Sequence, residues 1–339
     1  MKEDFFDFAK DIFNIDSPSG YCKEVISYVE NKVNKLGYQT QKTNKGNLEI
    51  YVQGQNNDKT TGFCAHVDTL GLMVRSINND GTLSFTNVGG PIIPTLDGEY
   101  CRIITRNKQI YTGTILSLSP AAHVFEDSKN RERNCDTMMV RIDEKVKNKE
   151  DVIQLGIQNG DYIAIEPKTT ITPSGFIKSR FLDDKISVAI LYDVLKEIKE
   201  KDILPKNDII ITISTFEEVG HGSSYINPKI DELIAVDMGC IGKDLSCTEY
   251  DVSICAKDSS GPYDYQLTTK LIELSKEHQL QYAVDIYPFY SSDASAALRA
   301  GQNIRGALIG PGVHASHGME RTHQEAIENT IKLILAYIY

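Results

Sequence analysis

The sequence contains no tryptophan in 339 residues, so it offers no indole platform for stacking against sugar rings. Its seven cysteines fall at 22, 64, 101, 135, 240, 247 and 255, an odd number with no CxxC pair. Neither a disulfide framework nor a cysteine zinc site is indicated, and a reduced, cytoplasmic protein is the expectation. Positive charge is in deficit: 36 Lys and Arg against 47 Asp and Glu leave a formal net charge of −11. No Lys/Arg-rich stripe is available to displace counterions, which argues against nucleic acid as the main partner. Long hydrophobic runs are missing too. Nowhere do about 18 apolar residues stand together, and the opening MKEDFFDFAK has no apolar core of signal-peptide length, so no membrane partner is expected. What remains is ordinary. A hydrophobic share of 41% and a charged share of 24% exclude a disordered or collagen-like chain, and the length suggests roughly two domains.

Phe5, Phe8 and Ile12 stand at helical spacing before a break at Ser17-Pro18-Ser19-Gly20. A second helix is expected from about Tyr21 to Leu36, with Val25, Val29, Val33 and Leu36 on one stripe and Gly37 as its stop. Leu48, Ile50 and Val52 alternate with polar residues as a half-buried strand, and Gly62-Phe63-Cys64-Ala65 leads straight into His66. Then the texture changes. From about 71 to 170, short β-rich runs are punctuated by Asn79-Asp80-Gly81, Gly89-Gly90-Pro91 and Asp97-Gly98, which suggests a small β-barrel or sandwich. Residues 126–136 are highly charged and read as an exposed loop. Further on, long helices alternate with buried strands, among them Ile209–Ile213 and Leu233–Val236, both central in a mostly parallel sheet. The simplest reading is an α/β domain of residues 1–70 and 171–339, flanked by helices, with a β domain of 71–170 inserted.

Five clusters carry potential ligands. AHVDTLGL places His66 and Asp68 after a strand; FLDDKISVAIL opens a helix with Asp183 and Asp184; STFEEVGHGSS puts Glu217 and Glu218 beyond the Ile209–Ile213 strand. AVDMG ends the next strand with Asp237, and HASHGMERTH supplies His314, His317 and His323. Singly, each has a plainer reading: a helix N-cap for Asp183 or Asp184, a satisfied core histidine for His66, a solvated pair for Glu217 and Glu218. Asp237 taken alone is a strand-end cap, and the three histidines are a surface loop. In open α/β sheets, however, ligand groups collect beyond the carboxyl ends of strands. Five such clusters together favour a dinuclear site, and nitrogen and oxygen donors suit Zn²⁺, Mn²⁺ or Co²⁺.

Taken in series these motifs resemble the tetrahedral (TET) dinuclear metal aminopeptidases of the zinc-peptidase superfamily. That family includes glutamyl aminopeptidases and proteins labelled endoglucanases. AHVDTLGL is similar to its His-x-Asp-x-x-Gly element, and FLDDK to Asp-Asp/Asn-Arg with Lys185 where Arg is usual. FEEVG is similar to Glu-Glu-Val-Gly, AVDMG to the strand-end Asp, and Ser291–Ser295 to a Thr-Asp-Ala element near the site. The resemblance implies His66, Glu218, Asp237 and a C-terminal histidine as metal ligands, with Asp183 bridging two ions. His317 is favoured for that histidine, with His314 and then His323 as alternatives. It also implies Glu217 as general base and Asp68 as the group that orients His66.

The implied activity is metal-dependent aminopeptidase action on short peptides. Zn²⁺ is the first choice of ion, with Co²⁺ or Mn²⁺ as alternatives. The β domain would serve dimerisation in a homo-oligomer, a dodecamer. Two competing readings are a related dinuclear deacylase or dipeptidase, and a non-catalytic peptide-binding homologue. The endoglucanase label draws no support, since the carboxylates are better used as ligands than as an acid/base pair.

Overall fold

The structure is a computed structural model and describes residues 3–339. The chain forms two compact units, Met1–Asp68 with Lys168–Tyr339, and Thr69–Pro167.

The larger unit is built on a ten-stranded sheet. Its spatial order is Gln39–Lys42, Leu48–Val52, Asn207–Ser214, Asn56–His66, Glu232–Val236, Arg305–Val313, Val252–Asp258 and Gly261–Pro262. Gly239–Cys240 lies beside Arg305–Val313, and Tyr282–Ile286 beside Val252–Asp258. The four middle strands, from Asn207–Ser214 to Arg305–Val313, run parallel, so their carboxyl ends share one edge. Such strands are covered on both faces and read as continuous apolar runs. Alternate residues divide accordingly. Phe63, Ile211 and Ile234 join one core cluster, while Cys64, Ile210 and Leu233 join the cluster on the other face.

Helix Leu182–Lys201 crosses the first of these faces. Leu182 to Leu191 are all buried, so it is a central helix rather than an amphipathic cover. Helices Glu3–Phe13, Lys23–Lys35 and Gln324–Ile338 add Phe8, Val29 and Leu333 to the same cluster. No helix among the described residues is long and apolar enough to cross a membrane.

One expectation fails in an instructive way. Leu48–Val52 is not half-buried: Glu49 is as enclosed as its apolar neighbours, because the strand lies inside the sheet. The Glu49 carboxylate accepts from Tyr51 Oη at 2.6 Å and Asn227 Nδ2 at 3.0 Å, which offsets its loss of water.

The smaller unit is a closed six-stranded barrel, so of the two β architectures open to the sequence the barrel is the one formed. Its order is Gly71–Ile77, Leu83–Val88, Met138–Ile142, Ile110–Ser117, Tyr100–Ile104 and Tyr162–Ile165. Leu72, Phe85, Ile103, Ile115, Val140 and Ile163 fill its interior, as alternation along each strand requires. Residues 126–136 carry no helix or strand.

Candidate metal centre

The shared carboxyl edge of the middle strands gathers several of the candidate ligand residues. His66 closes Asn56–His66, opposite Ser214 on the neighbouring strand. Asp237 follows Glu232–Val236 directly. A chain that stayed extended past Ser214 would send Glu217 and Glu218 to opposite faces. Instead Glu217–Val219 forms a single 3₁₀ turn, closed by Gly220 at φ 83. Asp68 caps that turn: Oδ1 accepts from Glu217 N at 3.1 Å and Oδ2 from Glu218 N at 3.2 Å. Ser19 Oγ donates to the same Oδ2 at 2.5 Å. His66 Nδ1 stands 2.9 Å from the Asp68 carbonyl oxygen and 3.6 Å from its Oδ1. So Asp68 meets the imidazole mainly through its backbone, while its carboxylate holds the two glutamates.

Asp183 sits at the centre. Helix Leu182–Lys201 begins irregularly, with Phe181 at φ 67 and with Asp183 and Asp184 out of helical geometry. Asp183 Oδ1 lies 3.1 Å from His66 Nε2, and its Oδ2 lies 3.6 Å from His317 Nε2. Glu218 Oε2 is 3.7 Å from His317 Nε2. Glu217 Oε2 and Asp237 Oδ2 are 3.6 and 3.9 Å from His66 Nε2. Ligand atoms of His66, Asp183 and Glu218 lie within 4.8 Å of one another, as do those of His66, Asp184 and Asp237.

Of the three C-terminal histidines, only His317 joins this cluster. His314 is exposed and pairs by backbone with Arg321. His323 Nε2 is 2.8 Å from Ser174 O, and its Nδ1 accepts from Glu325 N at the start of Gln324–Ile338. His317 itself sits in a turn at φ 63, a conformation L residues rarely adopt, and needs holding. Glu320 supplies that hold, and sequence reasoning missed it. Its Oε1 accepts from His317 N at 2.9 Å and its Oε2 from Asp183 N at 3.0 Å. One buried carboxylate thus fixes the backbone of two candidate ligands. Arg180 Nη1 donates to Gly318 O at 3.1 Å and steadies the same turn. Asp184, placed by the sequence with Asp183 as a potential ligand or a helix cap, accepts from His66 N at 3.1 Å through Oδ2. Lys185, the departure from the usual arginine, buries its ammonium against Ile15 O at 2.7 Å.

The electrostatics follow from crowding acids in a buried place. Burial, and then the charge of Asp183, push the Asp237 carboxyl up to about 7. Burial likewise drives Glu217, Glu218 and Asp184 well above the usual carboxylate range, with neighbouring carboxylates adding to it. Burial would raise Asp183 too, but the hydrogen bond from His66 and the charges of both histidines hold it below its ordinary value. Burial alone would lower His66, and the surrounding carboxylates overcome that and raise it. Such a constellation favours binding of a cation. Glu218 Oε1 is buried with no hydrogen-bond partner, an arrangement that costs energy unless something positive meets it. The donors are all imidazole nitrogen and carboxylate oxygen, a set that fits a divalent ion of the Zn²⁺, Mn²⁺ or Co²⁺ kind.

The open α/β sheet with histidine and carboxylate side chains at its carboxyl edge is the setting of a metal-assisted hydrolase site. The chain belongs to the M42 glutamyl aminopeptidase family, whose profile matches residues 46–333, and is therefore a peptidase, a hydrolase of peptide bonds. It is 44% identical over 333 residues to YhfE of Bacillus subtilis (strain 168), named as a candidate aminopeptidase, covering 98% of this chain and 96% of that one. Among solved structures it resembles a TET aminopeptidase from the marine sediment archaeon Thaumarchaeota archaeon SCGC AB-539-E09. The TM-score is 0.89 at 18% identity, covering 99% of this chain and 97% of that one. The Pyrococcus horikoshii TET1 peptidase, which can assemble into a tetrahedron or a large octahedral shell, aligns at TM-score 0.86 and 20% identity. That alignment covers 99% of each chain. These two likenesses concern the fold.

Proposed function

We propose that the protein removes N-terminal residues from short peptides, using two divalent ions bridged by Asp183. The observation that carries this reading is the Asp183 carboxylate, whose two oxygens face His66 and His317, one on each side. His66 and Asp237 would hold one ion and His317 and Glu218 the other, Zn²⁺ first and Co²⁺ or Mn²⁺ as alternatives. Ions held there would supply a water of near-neutral pKa and would polarise the scissile carbonyl. Glu217 has no ligand duty in this scheme. Its Oε2, 3.6 Å from His66 Nε2, is set to take the proton from that water and return it to the leaving amine. Asp68 keeps the turn bearing Glu217 and Glu218 in register by accepting both of their N–H groups.

The test is a panel of aminoacyl p-nitroanilides and their N-acetylated counterparts, assayed with and without a chelator. Turnover of the free-amine set, lost on chelation and restored by Zn²⁺, is expected. Turnover confined to the N-acetylated set would favour the deacylase reading, and turnover indifferent to chelation would end the metal mechanism.

The same reading extends to assembly. Tyr100, Ile110 and Val124 of the barrel unit expose large apolar side chains, at 65%, 57% and 74%. We take this as supporting dimerisation through that unit, and from there a dodecamer like the shells of the TET relatives. Light scattering on metal-loaded protein should give a mass near twelve chains, and a monomer would contradict it. The seven free cysteines fit a reducing, cytoplasmic setting.

A further inference from the structure

Asp293 opens the short helix Asp293–Arg299, is 3% exposed, and is absent from the ligand scheme above. Its two carboxylate oxygens go to two separate places. Oδ2 accepts from the hydroxyl of Ser214, the last residue of the strand that precedes the Glu217 turn. Oδ1 accepts from Ser223 N at 2.7 Å, on the far side of that turn. Between these two points the chain carries residues 215–222, Glu217 and Glu218 among them. The approach is close: a Cβ at Gly222 would fall 2.3 Å from Asp293 Oδ1, so glycine is needed there. Asp293 is itself anchored. Ser292 caps the helix in a reciprocal box with Ser295. Tyr263 Oη lies 2.7 Å from both Ser292 Oγ and Asp258 Oδ2, which ties the helix start to the sheet strand Val252–Asp258.

We propose that Asp293 is a positioning residue that clamps both ends of the segment bearing Glu217 and Glu218. It touches neither the reacting atoms nor the ions, and acts through Ser214 and the Ser223 amide. Asp68 holds the middle of the same segment through the N–H groups of Glu217 and Glu218, and Asn47 Nδ2 and Lys45 Nζ donate to Gly222 O at 3.0 and 3.1 Å, so the clamp works alongside these holds. A base displaced by about 1 Å loses on the order of 10²-fold in rate, and outer-sphere partners of metal ligands are worth about 10–100-fold in affinity or activity.

Asparagine separates the clamp from a simple effect of charge. An Asn oxygen can still accept from Ser223 N, and its amide can donate to the Ser214 hydroxyl, which accepts as readily as it donates. The negative charge is gone, but both links survive.

The proposal rests on the roles given to Glu217 and Glu218, so the test reads two quantities. These are kcat and KM on an aminoacyl p-nitroanilide, and Zn²⁺ affinity by competition with a chromophoric chelator, which needs no turnover. Asp293→Ala is expected to lower kcat by about 10–100-fold with KM within about threefold, and to weaken Zn²⁺ binding by about tenfold. Asp293→Asn should recover both to within about threefold of the native values, and Ser214→Ala, which cuts one link, should fall between. Native kcat and Zn²⁺ affinity in Asp293→Ala would overturn the clamp, and so would an Asn variant as impaired as the Ala variant. If Asp293→Ala does not fold, native behaviour of Ser214→Ala overturns it instead. Full activity of a Glu217→Gln protein would remove the base reading alone and leave the Zn²⁺ comparison standing.

Discussion

Glu217→Gln is expected to lower kcat by about 10²–10⁴-fold while leaving KM and metal content near native. A loss of about 10³-fold corresponds to roughly 4 kcal/mol of transition-state stabilisation, the scale of one general base. The substitution keeps the shape of the side chain and removes only its capacity to take a proton. The fold should not suffer, because the Asp68 cap binds the Glu217 backbone and not its carboxylate. Gln fills the space of Glu217, whose side chain is only 13% exposed, so no packing is broken. Steady-state kinetics with melting curves and metal analysis check this. A variant that keeps metal and fold yet turns over normally would remove Glu217 from the chemistry. One that loses metal would make it a ligand.

The second large effect is expected at Asp183. Asp183→Ala takes away a group that faces both His66 and His317, at 3.1 and 3.6 Å. Hydrolysis should fall by more than about 10⁴-fold, since positioning and activation of the water are lost together. Stability should respond as well. Divalent ion at about 1,000 times its dissociation constant stabilises the native state by about 4 kcal/mol, so Zn²⁺ should raise the melting temperature of the native chain clearly. The same addition should leave the Asp183→Ala protein almost unmoved. Asp237→Ala is the useful contrast. It stands on the His66 side alone, 3.9 Å from Nε2, and should spare part of the Zn²⁺ response. Equal responses in all three proteins would mean that Asp183 does not bridge.

Much of the site was legible because parallel strands impose a simple grammar. A continuous apolar run such as Ile209–Ile213 or Leu233–Val236 ends at the sheet edge, and a polar residue just beyond it faces the crevice. His66, Glu217, Glu218 and Asp237 were singled out that way as candidates, and the fold brings them together. The need for a turn at Glu217-Glu218 was also readable, and the 3₁₀ turn answers it.

Other features depend on distances along the chain that no local pattern carries. Glu320 binds Asp183 N across 137 positions, and Asp293 reaches Ser214 across 79. The available signal for Glu320 was faint, a glutamate three places after His317. That His317 faces Asp183 and Glu218 while His323 caps a helix depends on a left-handed turn and on tertiary contacts. Alternation misled at Glu49, because a strand inside a two-sided sheet buries its polar residues too, provided they find partners. Closure of the β unit into a barrel was not decided by turn spacing, which is shared by barrels and sandwiches.

Gly310 shows how closely the edge is built. A Cβ there would lie 1.3 Å from the Asp237 carbonyl oxygen, so the strand Arg305–Val313 can lie against Asp237 only through a residue without a side chain.

The central claim is that one carboxylate, Asp183, is shared by two ions. Anomalous diffraction at the Zn edge, on crystals of native protein loaded with Zn²⁺, tests it most directly. Two peaks per chain are predicted, one between His66 and Asp237 and one between His317 and Glu218, with Asp183 between them. A single peak, or two peaks of which only one touches Asp183, would contradict it.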